Sequence, residues 1–148
     1  MRQRYRRKPD QAVTAIRLAL DFDGFSYRKW GGIQRAQAGD WLVEHDGDVH
    51  TVAADSFART YRPLGPGRWV KAAPVWAEPA AQAGSVATRE GRTHYQAGDW
   101  LVANAADGSD AYAIDAARFE QLYEPDPDGD PGGLPSRASG SRRASRPR

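Results

Sequence analysis

The sequence contains no cysteine, which rules out disulfides and thiolate–metal sites and leaves the redox compartment unreadable. It has no apolar run near the roughly 18 residues that span a bilayer, so no membrane segment is expected. No apolar stretch with a cleavage site follows the basic N-terminus; no signal peptide is expected, and the cytoplasm is the default location. Histidine is scarce, and His94 stands alone. No Ser or Thr sits in a nucleophile context, and no glycine loop is built to cradle phosphate. No catalytic residue is assigned, and neither enzymatic activity nor a cofactor is expected.

The residues that are present suit one domain or two very small ones: 148 residues, 40% hydrophobic and 27% charged. Charge is unevenly placed. Residues 1–8 carry Arg2, Arg4, Arg6, Arg7 and Lys8 and no acid, and residues 124–148 carry five arginines against four acids. A total of +2 therefore leaves −4 for residues 9–123. An acidic body with basic ends is unlike a dedicated nucleic-acid domain, whose basic patch lies on the folded surface. The arms could add only weak, salt-sensitive contacts to a polyanion.

One phrase occurs twice. Gln37-Ala38-Gly39-Asp40-Trp41-Leu42-Val43 returns as Gln96-Ala97-Gly98-Asp99-Trp100-Leu101-Val102, 59 residues on. Glycine and aspartate read as a tight turn, and Trp-Leu-Val as the start of a strand. Around it, Ala12–Leu20 reads as a strand, and Phe25–Trp30 and Ile33–Gln37 as a hairpin turning at Gly31-Gly32. Trp41–His45 and Asp48–Val52 read as a hairpin turning at Asp46-Gly47, the strongest such signal in the chain. Ala54–Tyr61 reads as a short helix with Asp55 as its cap and Phe57 and Tyr61 on one face.

The second half repeats this order. Trp69-Val70-Lys71-Ala72 aligns with Ala12-Val13-Thr14-Ala15, Ser85–Arg89 with Ser26–Trp30, and Ala111–Ile114 with Val49–Val52. Phe119 and Tyr123 align with Phe57 and Tyr61. The offset grows from 59 to 62, which places a three-residue insertion in the 105–110 turn, as a structural repeat tolerates. The expected organisation is a basic arm at 1–8, repeat units at 9–65 and 66–124, and a disordered Pro/Gly/Ser/Arg tail at 125–148. The expected fold class is α+β: two tandem small antiparallel, barrel-like units, each ending in a short helix. Such small units bury too little surface alone, so they should pack together through a Trp-rich seam.

Three sets of residues could carry chemistry. With a turn at Asp46-Gly47, His45, Asp48 and His50 share one strand face with metal-compatible spacing. That face also holds Trp41, Val43 and Val52, and Tyr112 stands at the position of His50, so half-buried aromatics with polar tips are the preferred reading. Asp40 and Asp99 could act as paired carboxylates, but each follows a turn glycine (Gly39, Gly98) and precedes a core tryptophan (Trp41, Trp100). Capping the local backbone explains them. Trp30, Trp69, Trp76 and Tyr95 have no counterpart in the other half. They should either fill the seam between copies, the preferred reading, or form a binding surface.

Tyr5 to Pro9, Gly39 to Val43, the short strand Val49–Val52, and Phe57 with Tyr61 occur in an order that resembles the PGDYG family of small phage and bacterial proteins. Gly98 to Val102, Ala111–Ile114, and Phe119 with Tyr123 repeat it, so the resemblance spans most of residues 5–123. Gln-Ala stands before Gly-Asp where the family often has Pro, Trp replaces the usual Tyr, and Val49–Val52 is less aromatic than its counterpart. The resemblance implies this order of elements and a phage or mobile-element setting, and brings no activity or catalytic residue. The expected function is a non-catalytic binding module for a protein or a small polar ligand. The alternative is a nucleic-acid-associated small barrel assisted by its basic termini.

Overall fold

Short β-branched and aromatic runs, cut by turns that carry glycine or aspartate, favour strands too short to stand alone. In the computed structural model, which describes residues 2–127, these runs form two open five-stranded antiparallel sheets and two separate hairpins. The first sheet contains β2 (Val13–Arg17), β5 (Trp41–His45), β6 (Asp48–Val52), β7 (Tyr61–Gly65) and β8 (Arg68–Lys71). Its order is β6-β5-β2-β8-β7. The second contains β1 (Gln3–Arg7), β9 (Val75–Pro79), β12 (Trp100–Ala103), β13 (Ala111–Ile114) and β14 (Tyr123–Pro125), in the order β13-β12-β9-β1-β14. The hairpins are β3 (Phe25–Lys29) with β4 (Gly32–Ala36), and β10 (Gly84–Ala87) with β11 (Arg92–Tyr95). Helix α1 (Ala54–Thr60) precedes β7, and α2 (Ala116–Leu122) precedes β14. The β-rich, two-helix antiparallel architecture is as expected, but neither large sheet closes into a barrel.

The strand order corrects the expected boundaries. Residues 3–7 are not a free arm: β1 lies between β9 and β14, with Tyr5 opposite Val75 on one side and Pro125 on the other. Nor does the first unit end at 65. Only Pro66 and Gly67 separate β7 from β8, and Gly67 has φ +71°. A two-residue turn leaves β8 no freedom to leave its neighbour, so it pairs with β7 and β2 in the first sheet. The corresponding place in the second sheet is filled by β1. Trp69 therefore occupies the position of Tyr5, and Val75 and Ala77 those of Val13 and Ala15. The alignment of Trp69–Ala72 with Ala12–Ala15 is replaced by this one.

Each doubled tryptophan starts a column of rings. Trp41 stacks on Phe57 at 4.0 Å, and Phe57 on Tyr61 at 4.5 Å. Trp100 stacks on Phe119 at 4.1 Å, and Phe119 on Tyr123 at 5.1 Å. Trp69 meets the first column edge-on, and Tyr5 the second. Val13, Ala15 and Val43 complete one core; Val75, Ala77 and Val102 complete the other. Burying Phe57 or Phe119 contributes about 2–3 kcal/mol, with roughly another 1 kcal/mol from ring geometry.

The turn ahead of each tryptophan is built as its composition suggests. Gly39 and Gly98 have φ +90° and +92°, and the Asp40 and Asp99 carboxylates accept the Gln37 and Gln96 N–H at 2.9 Å. Asp40 also accepts the Ala54 N–H at 3.2 Å, helping to start α1. Asp55 is not the cap: the N-cap is Ala53, whose N–H is bound by Glu90 at 2.7 Å. In α2 the N-cap Asp115 accepts the Arg118 N–H.

The two hairpins meet through a Gln34–Gly91 bridge. The fully buried Gln34 amide donates to the Lys29 and Arg92 carbonyls at 3.0 and 2.7 Å. A Cβ at Gly91 would collide with the Ile33 carbonyl, so this crossing requires glycine. The first hairpin turns at Trp30-Gly31 rather than Gly31-Gly32, since Lys29 pairs with Gly32. Residues 125 and 126 of the expected tail are placed: Pro125 ends β14 and Asp126 binds Arg4 at 2.9 Å. Residues from 128 lie outside the described residues. Among the described residues no helix is long and apolar enough to cross a membrane.

Candidate functional site

A cavity of about 250 Å³ lies among the sheets, α2 and the hairpins, and both core columns end at it through Tyr61 and Tyr123. Its floor is set by strand register. Arg7 in β1 stands directly opposite Tyr123 in β14, and Lys71 in β8 directly opposite Tyr61 in β7. One hydrogen bond then crosses between the sheets, from Lys71 to Tyr112, and the series continues within the second sheet. Lys71 Nζ donates to the Tyr112 hydroxyl at 3.0 Å, the Tyr112 and Tyr123 hydroxyls are 3.0 Å apart, and an Arg7 amino group donates to Tyr123 at 3.2 Å. The guanidinium also lies 4.9 Å from the Tyr123 ring, and the ammonium 5.0 Å from that of Tyr112.

The charges on this floor do not balance. Lys71 is buried and Arg7 half-buried, and among the described residues neither pairs with a carboxylate. Among the described residues Arg7 makes one further hydrogen bond, to the Gln11 carbonyl, and its Nε has no partner. Buried cations are normally paired, because desolvation costs several kcal/mol per ion. Here the phenols compensate. Burial opposes ionisation of Tyr123, but Arg7, Lys71 and the hydrogen bonds from Tyr112 and Arg7 outweigh it and bring its pKa down to about 7. Tyr112 is driven the other way, by burial and then by Tyr123. Arg7 is held protonated: burial disfavours its charge, and Tyr123, Tyr61 and Tyr112 more than offset that.

The acids that reach the cavity are occupied. Asp110 accepts from Ser56 at 2.7 Å, Arg59 at 2.9 Å and Asn104 at 3.2 Å. Glu90 binds the Ala53 N–H, and burial raises its pKa in spite of that bond. Asp48 is shared by Lys29 at 2.9 Å and Arg118 at 3.5 Å, and Lys29 and Arg118 hold it ionised against burial.

His45, Asp48 and His50 share an inward face, with the expected pairing of His45 with Asp48 and Val43 with His50. Their chemistry differs from that of a metal site. Arg118 donates to His45 Nδ1 at 3.1 Å and Nε2–H donates to Gln11 at 2.9 Å, so the imidazole has no lone pair to offer. Burial, then Arg118 and Arg7, lower its pKa against the pull of Asp46. His50 is neutral: burial lowers its pKa to about 4, the charges of Arg7, Lys29 and Arg118 add to this, and Asp48 opposes it. Its Nδ1 has no hydrogen-bond partner among the described residues and lies 3.9 Å from Asp48. Among the described residues no three His, Asp or Glu side chains could hold a metal ion.

The four unmatched aromatics separate. Trp69 belongs to the first core, where Tyr5 is its counterpart in the second. Trp76 lies on β9 with Arg4 6.0 Å from its ring, away from the cavity lining. Trp30 and Tyr95 line the cavity. The space between the sheets is thus a cavity of mixed polar and apolar lining rather than a tryptophan seam. Trp30 is unusual: at the first position of its turn it takes φ +57°, a left-handed conformation that costs such a residue about 1–2 kcal/mol. Its ring lies 5.5 Å from that of His50. The residues that composition did not single out are Arg7, Lys71, Tyr112 and Tyr123. Tyr5-x-Arg7 and Trp69-x-Lys71 share an aromatic-x-cation pattern that could have marked them.

No family model, curated protein or solved structure matches the chain.

Proposed function

We propose that the chain is a non-catalytic binding module whose ligand is a small anion held in the central cavity. The observation that carries this reading is the pair of cations, buried Lys71 and half-buried Arg7, that face the cavity and pair with no carboxylate among the described residues. An anion entering there would replace the partial charge of Tyr123 and gain two charge-assisted contacts in a low-dielectric setting. A duplicated β-unit belongs to the same proposal. Its support is the shared heptad, the matching strand order of the two sheets, and the ring column that follows each heptad. The PGDYG resemblance and a cytoplasmic, phage-like setting are proposed with it.

The nucleic-acid alternative is a small barrel assisted by its basic termini, and the N-terminal part of that assistance is largely taken up by ion pairs. Arg2, Arg4 and Arg6 are matched to Glu78, Asp126 and Glu124 at 3.4, 2.9 and 2.7 Å, and Arg7 faces inward. Those pairs leave little charge at the N-terminus for a phosphate backbone. The test is thermal unfolding in acetate or phosphate against a matched ionic strength of a bulky-anion salt. Saturable stabilisation is expected, about 2.7 kcal/mol at a hundredfold excess over Kd, and it should vanish in Arg7→Gln and Lys71→Met. Equal stabilisation of wild type and variants would refute the site.

A further inference from the structure

Trp30 is not explained by the fold. The turn Trp30-Gly31 has φ +57° and +79°, a pattern that favours asparagine or aspartate at the first position. The Asp46-Gly47 turn, at φ +51° and +83°, shows the ordinary solution in the same chain. The equivalent position in the second hairpin is Arg89, so no tryptophan is required there for hairpin or core. The ring is 39% exposed and belongs to neither core cluster, yet it lines the cavity. Beside it is His50, a neutral, half-buried imidazole whose buried Nδ1 has no hydrogen-bond partner among the described residues.

The same cavity therefore offers two kinds of contact. Arg7 and Lys71, with the Tyr112 and Tyr123 hydroxyls, favour a negatively charged group; Trp30 and His50 offer ring faces and one free imidazole nitrogen. The volume, about 250 Å³, equals roughly eight waters at about 30 Å³ each, which limits the guest to one ring with a short substituent. The cations are carried by strands, and the floor contacts are all from side chains. Two separate cations match the two oxygens of a carboxylate, whereas a phosphate site is usually completed by backbone N–H groups at a loop or helix start.

We infer that the ligand is a small aromatic carboxylate, its carboxylate bound by Arg7 and Lys71 and its ring set against Trp30 and His50. This rests on the anion-binding reading above. A ring on Trp30 accounts for retaining a tryptophan in a backbone conformation that disfavours it.

Calorimetric titration of the full chain with benzoate, acetate, benzamide and phosphate tests this. Benzoate should bind about tenfold more tightly than acetate, as one added ring contact allows, and benzamide should not bind. The advantage of benzoate over acetate should disappear in Trp30→Asn, a substitution the turn geometry favours, and benzoate binding should be lost in Lys71→Met. Equal affinity for acetate and benzoate, or tighter binding of phosphate, would overturn the aromatic carboxylate and leave the anion site standing. Binding of none of the anions would overturn both.

Discussion

Replacing Lys71 with methionine removes one of the two cations that lower the Tyr123 pKa while keeping the side-chain volume. Two 3.0 Å hydrogen bonds in series, from Lys71 to Tyr112 and from Tyr112 to Tyr123, set an upper limit on how far the charge lies from the phenol oxygen. At a separation of about 6 Å and an effective dielectric near 20, a unit charge is worth about 3 kcal/mol, or about two pH units in the Tyr123 midpoint. Near-UV absorbance of tyrosinate should therefore show one wild-type tyrosine titrating with a pKa of about 7, moving up by about two pH units in Lys71→Met. The stability change follows with a definite sign. An acid whose folded pKa is depressed stabilises fully above its unfolded pKa, near 10 for tyrosine, and that stabilisation is lost as pH falls through the folded value. Wild-type stability should rise between about pH 7 and pH 10, by about 1.4 kcal/mol per pH unit at most. Below pH 7 the methionine variant should be more stable by about 1 kcal/mol, because an unpaired buried cation has gone. Near pH 9 the order should reverse. An unchanged tyrosine midpoint, or no tyrosine titrating near neutrality, would refute the coupling of Lys71 to Tyr123.

His50 has a folded pKa of about 4, below its ordinary value, so stability should fall as pH drops from about 6.5 towards 4, by up to roughly 3 kcal/mol. His50→Tyr, which copies Tyr112, should remove most of that acid sensitivity in urea midpoints measured across this range. Deleting residues 2–7 takes the strand between β9 and β14 and the Tyr5 ring out of the second sheet. Cooperative unfolding by circular dichroism should be lost or weakened by at least about 3 kcal/mol, whereas a free arm would make no difference. Gly91→Ala should destabilise by about 2 kcal/mol or more through collision with the Ile33 carbonyl, whereas Gly47→Ala, which meets no atom, should cost only its left-handed strain of about 1 kcal/mol.

What was readable in the chain was local. The Asp46-Gly47 hairpin and its register, the Gly-Asp turns, the two short helices and the paired Trp, Phe and Tyr rings follow from nearby residues. They form much as turn chemistry and periodicity predict. The strand partners of Tyr5 and Trp69 were not readable, because pairing across tens of residues leaves no periodic signal. The Pro66-Gly67 turn held the clue, since a linker that short keeps β8 beside β7. The cavity was hidden for the same reason. Arg7 reads as one of five charges in a basic run, and Lys71 as a strand residue. Only the placement of β1 in the second sheet and β8 in the first brings each opposite a tyrosine. His45 and His50 were placed on the correct face, but Arg118, from a helix 73 residues away from His45, determines what that face can bind.

Diffraction from crystals held in bromide gives the most direct test of an anion site between Arg7 and Lys71. An anomalous peak within contact distance of the Arg7 guanidinium and the Lys71 ammonium is expected in wild type, and its loss is expected in Lys71→Met. Bromide found only at surface arginines, with the cavity floor unoccupied at saturating salt, would contradict the site.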